Sequence, residues 1–268
     1  MFRRALLVTS MILGVGCKEE AAAPMAAVSA SPGFDPETSR LLAALEDPVA
    51  SVHYAASREL AAKGAAVRPA LLSALKSERP MLRAMAAHAL AGMGEGAEEA
   101  LPGLAAVLEK DADPKVRESA ARAIGLVGRK SALKSTLVSA LRKGLADAEG
   151  PVRVSSAFAL AALDSGASEA AAVLGKALND PEPEGTNLHQ EACFRLASMG
   201  PAAKDAVPGL IAMLQNPDPE MRWPAVEALG KIGPGAAAAQ PALKLLRKKS
   251  NIVGEKDAIT KALEAIED

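Results

Sequence analysis

An all-α solenoid is the fold this sequence predicts, and three observations predict it. First, one short pattern recurs six times at intervals of 30 to 36 residues. Each copy starts on a basic residue: His53, Arg83, Arg117, Arg153, His189 and Arg222. A small residue stands three later (Ala56, Ala86, Ala120, Ser156, Ala192, Ala225) and an aliphatic one seven later (Leu60, Leu90, Ile124, Leu160, Leu196, Leu229). Gly64, Gly94, Gly128, Gly200 and Gly233 follow at eleven, and Asp164 takes that place in the fourth copy. A fixed period in this range marks units that bury their apolar faces only against their neighbours. Second, the chain is 50% apolar but 2% aromatic, with Ala in nearly every turn; Ala is the best helix former because it loses no side-chain entropy. Third, the residue before the basic position and those three, seven and ten after it share one side of a helix turning about 100° per residue.

The elements follow in order. Arg3 and Arg4 precede the apolar run Ala5 to Gly16, which stops at Cys17. That run is too short for a bilayer span, which takes roughly 20 apolar residues. Leu13-Gly14-Val15-Gly16-Cys17 resembles the lipobox of bacterial lipoproteins, although Gly14 stands where the box usually has Leu. The resemblance implies a signal over residues 1–16, removed before a Cys17 that takes the lipid. Residues 17–36 then read as the lipidated Cys17 and a flexible tether of Ala, Ser, Pro and Gly, reaching about 25 Å on average. Lys18 rather than Asp after the Cys favours the outer membrane, on its periplasmic face. The second cysteine, Cys193, lies on the apolar side of its helix and reads as a buried small hydrophobe.

Residues 37–252 read as six helical hairpins. The outer helices carry apolar pairs such as Leu41, Leu42 and Leu45, or Leu104, Val107 and Leu108. Pro69, Pro102, Pro208 and Pro241 open several of them, where a missing N–H costs little. Turns are marked by Asp47-Pro48, Asp113-Pro114, Asn216-Pro217 and Asp218-Pro219, and the second helix of each hairpin carries the pattern. Residues 253–268 read as a half-polar closing helix, with Ile259, Leu263 and Ile266 at helical spacing.

The segments DPKVRESAARAIGLVG (113–128) and DPEMRWPAVEALGKIG (218–233) resemble HEAT repeats, and within those the HEAT-like repeats first named for phycobilisome lyases. The resemblance covers residues 37–252 and implies a right-handed α-solenoid of six units plus a cap. It also implies that the pattern-bearing helices line a concave surface, and that turn acids (Asp47, Asp113, Asp218) pair with Arg83, Arg117, Arg153 and Arg222 as a ladder. Positions one, five and nine after the basic residue would then face the groove.

The candidate partner-binding residues are accordingly Tyr54, Arg58, His88, Arg122, Phe158, Phe194, Trp223 and Glu227, with Met85, Glu118, Val154, Gln190 and Lys231 alongside. All four aromatics of the folded region, Tyr54, Phe158, Phe194 and Trp223, fall at position one or five. Exposed on one surface they would form a protein-binding hot spot; the alternative is that they pack between neighbouring inner helices. The loop from Asn179 to Asn187 offers carboxylates without metal-loop spacing, and Lys244, Arg247, Lys248 and Lys249 read as a solvated face. Catalytic constellations are missing: the three histidines lie on separate units, the chain has no His-Glu dipeptide, and no phosphate loop or nucleophile motif occurs. The net charge of −1, with Glu118 and Glu227 in the groove, argues against nucleic acid.

The sequence therefore predicts a non-enzymatic scaffold without cofactor or metal, held to the bacterial envelope by lipid and binding a protein or peptide there. A structural subunit working through its outer helices, or an accessory of the bilin-lyase kind, are the alternatives.

Overall fold

The computed structural model describes residues 33–163, 166–181 and 187–268. Among these residues the fourteen α-helices form seven hairpins, each an outer helix followed by an inner one. They are α1 (Pro36–Ala44) with α2 (Ala50–Lys63), α3 (Arg68–Ala74) with α4 (Pro80–Gly92), and α5 (Leu101–Lys110) with α6 (Pro114–Val127). Then come α7 (Lys134–Gly144) with α8 (Gly150–Ala162), α9 (Ala167–Ala177) with α10 (Leu188–Met199), and α11 (Val207–Met213) with α12 (Pro219–Ile232). The last pair is α13 (Gln240–Lys249) and α14 (Val253–Glu267). Inner helices stack on inner helices in chain order, so one apolar core runs from Leu41 to Ile266. This is an all-α solenoid.

The closing helix has a partner of its own. α14 packs on α12 as the inner helices before it pack on one another, and α13 is its outer helix. Lys256, Ile259 and Leu263 stand 34 residues beyond Arg222, Ala225 and Leu229. α13 and α14 thus form a seventh hairpin whose small position has become Ile.

The pattern glycines serve two ends. Gly64, Gly94, Gly200 and Gly233 have φ of 60°, 56°, 56° and 69°, a left-handed backbone that other residues reach only with strain. Each turns its inner helix into a short 3-10 segment leading to the next outer helix. Gly128 instead has φ −84° and is needed for space, since a Cβ there would come within 2.7 Å of the Leu137 side chain. Close packing shows also at Gly125, where a Cβ would meet Ala159 Cα at 2.8 Å. α6 and α8 approach that closely because small residues face each other.

Ser156 departs from this economy. Its hydroxyl is fully buried and has no hydrogen-bond partner among the described residues, while the five equivalent positions hold Ala. A buried hydroxyl without a partner costs free energy. Ser156→Ala should therefore raise stability, by up to about 1 kcal/mol, in urea unfolding. A loss of that size instead would mean that the Oγ atom, which lies against Gly144, is needed as packing.

Candidate protein-binding surface

The basic residue of the pattern lies in the first turn of the inner helix, from where it reaches back to the loop before that helix. Arg83 Nη1 donates to the Ser77 carbonyl at 2.8 Å, Arg117 to that of Asp111 at 3.0 Å, Arg153 to that of Asp147 at 2.9 Å, and Arg222 to that of Asn216 at 2.8 Å. The two histidines bond turn carbonyls in the same manner, His53 to Asp47 at 2.9 Å and His189 to Asp180 at 2.8 Å. Each guanidinium then reaches on to a carboxylate of the next unit: Arg83 to Asp111, Arg117 to Asp147, Arg153 to Asp180 and Arg222 to Glu255, at 2.6–2.8 Å.

The ladder is present, but its acids are not Asp47, Asp113 and Asp218. Those three accept backbone N–H bonds at the starts of inner helices instead. The turn holds two acid places two residues apart: the later one, Asp113 or Asp218, is the helix cap, while the earlier one, Asp111 or Asp147, faces the preceding unit, and Asp47 stands at the earlier place of the first turn. The rungs also explain the choice of base. Histidine occurs where the next turn has Ser77 or Asn216 in place of a carboxylate. Asp180, which the sequence reading grouped with an acidic loop, belongs to this ladder; residues 182–186 of that loop lie outside the described residues.

With the ladder along one edge, the inner helices present a face with a closed centre and two open ends. At the centre, Arg122 on α6 bonds Glu118 at 3.0 Å and reaches Glu191 on α10 at 3.6 Å. Glu191 also takes Arg195 at 3.2 Å, and the Arg195 guanidinium lies 3.7 Å over the Phe158 ring of α8. A side chain of α6 thus meets one of α10 across the intervening helix. Phe158 is half-buried under its cation, Val154 is buried at 1% exposure beneath, and Met85 is buried as well. Val154 and Met85 therefore belong to the core, not the groove: they stand one and two residues after their basic residue, where neighbouring inner helices pack closely enough to bury the side chain. Burial holds the Glu118 carboxyl above its usual range despite Arg122, with Glu191 adding to the effect.

The first open end holds Tyr54 and His88. Their rings meet edge to face at 5.3 Å, with His53 4.6 Å from Tyr54 on the other side. Burial, then Arg122 and His53, keep the His88 imidazole below its usual range. Arg58 is exposed beside it. The second open end holds Phe194 and Trp223, with Glu227 exposed on the same helix as the tryptophan. Tyr54, Phe194 and Trp223 expose 46%, 48% and 44% of their surface. Three of the four aromatics therefore face solvent and one packs between helices. Cys193 is fully buried in α10, and Cys17 lies outside the described residues. Among the described residues no cluster of His, Cys, Asp and Glu is placed to hold a metal, and no helix is long and apolar enough to cross a membrane.

The family profile described as HEAT repeats matches residues 38–125, 101–187 and 186–264. The chain belongs to the HEAT-repeat family. Among solved structures, this HEAT-repeat protein is similar to YibA of Escherichia coli at 17% identity, over 87% of this chain and 93% of that one, with a TM-score of 0.57. It is also similar to the CpcE–CpcF complex of phycocyanin lyase from a Nostoc species (24% identity, 91% and 100% covered, TM-score 0.45). A designed armadillo repeat protein in complex with the peptide (KR)4 is a third (18% identity, 87% and 100% covered, TM-score 0.46). At these identities the likeness is one of fold, and fold does not carry function with it. No curated protein matches the chain.

Proposed function

We propose that this HEAT-repeat protein is a non-enzymatic scaffold of the bacterial envelope that holds a protein or peptide on its inner-helix surface. One observation carries the reading: Tyr54, Phe194 and Trp223 stand nearly half exposed on inner helices of a chain with few aromatics. Rings kept only to fill space between alanines would be covered, as Phe158 is. Exposed aromatics flanked by charge anchor partners because they supply large contact area at small entropy cost.

The test is the double substitution Phe194→Ala with Trp223→Ala. Partner recovery from envelope extract should weaken by about 2 kcal/mol or more in binding free energy, while the melting temperature stays near that of the parent. Unchanged recovery by a folded double variant would remove this surface and promote contacts through the outer helices. A large drop in melting would instead make the rings packing groups.

The envelope location rests on Arg3, Arg4, the apolar run and Cys17, where two or three acyl chains would give a stable anchor and one chain a marginal one. Cys17→Ala should abolish incorporation of labelled fatty acid and leave the signal uncut at this position. Normal labelling of that variant would end the lipoprotein reading.

A further inference from the structure

Where α12 and α14 begin, the inner surface opens into a cleft of about 650 Å³. Phe194, Trp223 and Ile252 give it apolar walls, and Asp218, Glu220 and Glu255 give it carboxylates; no Lys or Arg lines it. We propose that this cleft takes a cationic segment of a protein partner, with a Lys or Arg side chain stacked on Trp223. The proposal deepens the binding function above and rests on it.

The charge balance of the cleft selects that occupant. Glu255 is fully engaged by Arg222, at 2.7 and 3.1 Å, so its charge is neutralised from below. Asp218 caps α12 through the Glu220 N–H at 2.9 Å, and among the described residues Asp218, Glu220 and Glu227 form no ion pair with a Lys, Arg or His. A helix start would by itself favour an anion. Here Asp218 and Glu220 already occupy that end, and the surplus is negative. Glu220, Trp223 and Glu227 lie at helical spacings of three and four, so the indole is bracketed by carboxylates on one face of α12. A cation on an exposed indole gains from the ring's negative face, and more where carboxylates stand beside it. A purely apolar partner would leave those carboxylates desolvated and unpaired, which costs free energy. An acidic partner would be repelled.

Trp223 is the single tryptophan of the chain, so its emission reads the cleft directly. The full-length protein would be titrated with an acetylated, amidated octapeptide of alternating Arg and Leu, and with the same peptide carrying Glu for Arg. The Arg peptide should give a saturable change in emission that weakens in about 0.5 M salt, and the Glu peptide none. Glu220→Lys, at an exposed position, should weaken the Arg peptide about tenfold or more without shifting the melt. An equal response to the Glu peptide, an Arg-peptide affinity unmoved by Glu220→Lys, or no response to either would overturn the proposal. Emission that changes with protein concentration alone, together with a dimer in sedimentation, would assign the cleft to a second copy and overturn it too. The broader binding reading fails separately. Envelope-partner recovery that is lost in the Phe194→Ala, Trp223→Ala variant but unchanged in Glu220→Lys keeps the surface and discards the cationic partner.

Discussion

Leu160→Ala is expected to cost about 2–5 kcal/mol in stability, and the damage should stay near its own hairpin. Leu160 is fully buried in α8, as Leu229 is in α12, and these two helices pack mainly on their own hairpin and the adjacent ones. Truncation removes apolar contact and leaves a cavity that surrounding helices fill only in part. In a globular core that loss would be shared by the whole fold. A solenoid couples only adjacent units, so α6 and α8 should lose hydrogen-exchange protection while α2 and α14 retain theirs. Leu229→Ala should move the same effect to α10, α12 and α14. Uniform loss of protection along the chain would mean that the seven hairpins unfold as one cooperative body.

Much of this architecture was written in the spacing of a few residues. The hairpins were legible because Leu60, Leu90, Ile124, Leu160, Leu196 and Leu229 must all sit on the buried side of their helices. The exposure of Tyr54, Phe194 and Trp223 was legible from helix angle alone, but that of Phe158 was not. Its ring is covered by Arg195, which stands on the next inner helix, and a helical wheel holds no information about neighbouring helices. The Arg122–Glu191 bridge was hidden for a related reason: it joins α6 to α10 past α8, and no single helix shows which residues of helices two places apart come together. The ladder acids were misassigned because Asp-Pro is a strong local signal for a helix start, and the capping Asp was read as the pairing one. Two details could have corrected it. Asp111 stands two residues before Asp113 and Asp147 two before Glu149, and histidine stands at 53 and 189, where the next turn has Ser77 or Asn216 at the earlier place; Arg222 faces Ser250 there and takes Glu255 instead. The seventh hairpin escaped notice because Ile259 fills a place that is small in every earlier copy.

Breaking one rung of the ladder should be nearly as costly as a core truncation, and its pH dependence identifies the mechanism. Arg117→Met keeps the apolar stem and removes the charge. It strands Asp147, whose side chain is 13% exposed, and frees the Asp111 and Ala112 carbonyls that Arg117 also bonds. Removing one partner of a largely buried pair costs about 3 kcal/mol, since the other charge remains desolvated. The hydrogen bond from Arg117 holds the Asp147 carboxyl below its usual range, and that from Arg222 does the same for Glu255. At Asp111 burial is the largest single influence and works the other way, but the bond from Arg83, the Asp113 N–H and the charges of Arg83 and Arg117 together outweigh it. A carboxyl lowered in the folded state contributes stability that is complete above its unfolded value, about pH 4, and is lost as pH falls through the folded value. Glu118, raised by burial, contributes the opposite slope, so the parent curve is a sum. The difference between parent and Arg117→Met removes that background. It should be largest above about pH 4 and shrink below it as Asp147 takes a proton in both proteins. A difference that stays constant down to pH 2 would mean that Arg117 acts through its carbonyl bonds alone and that its carboxylate rung adds nothing to the stack.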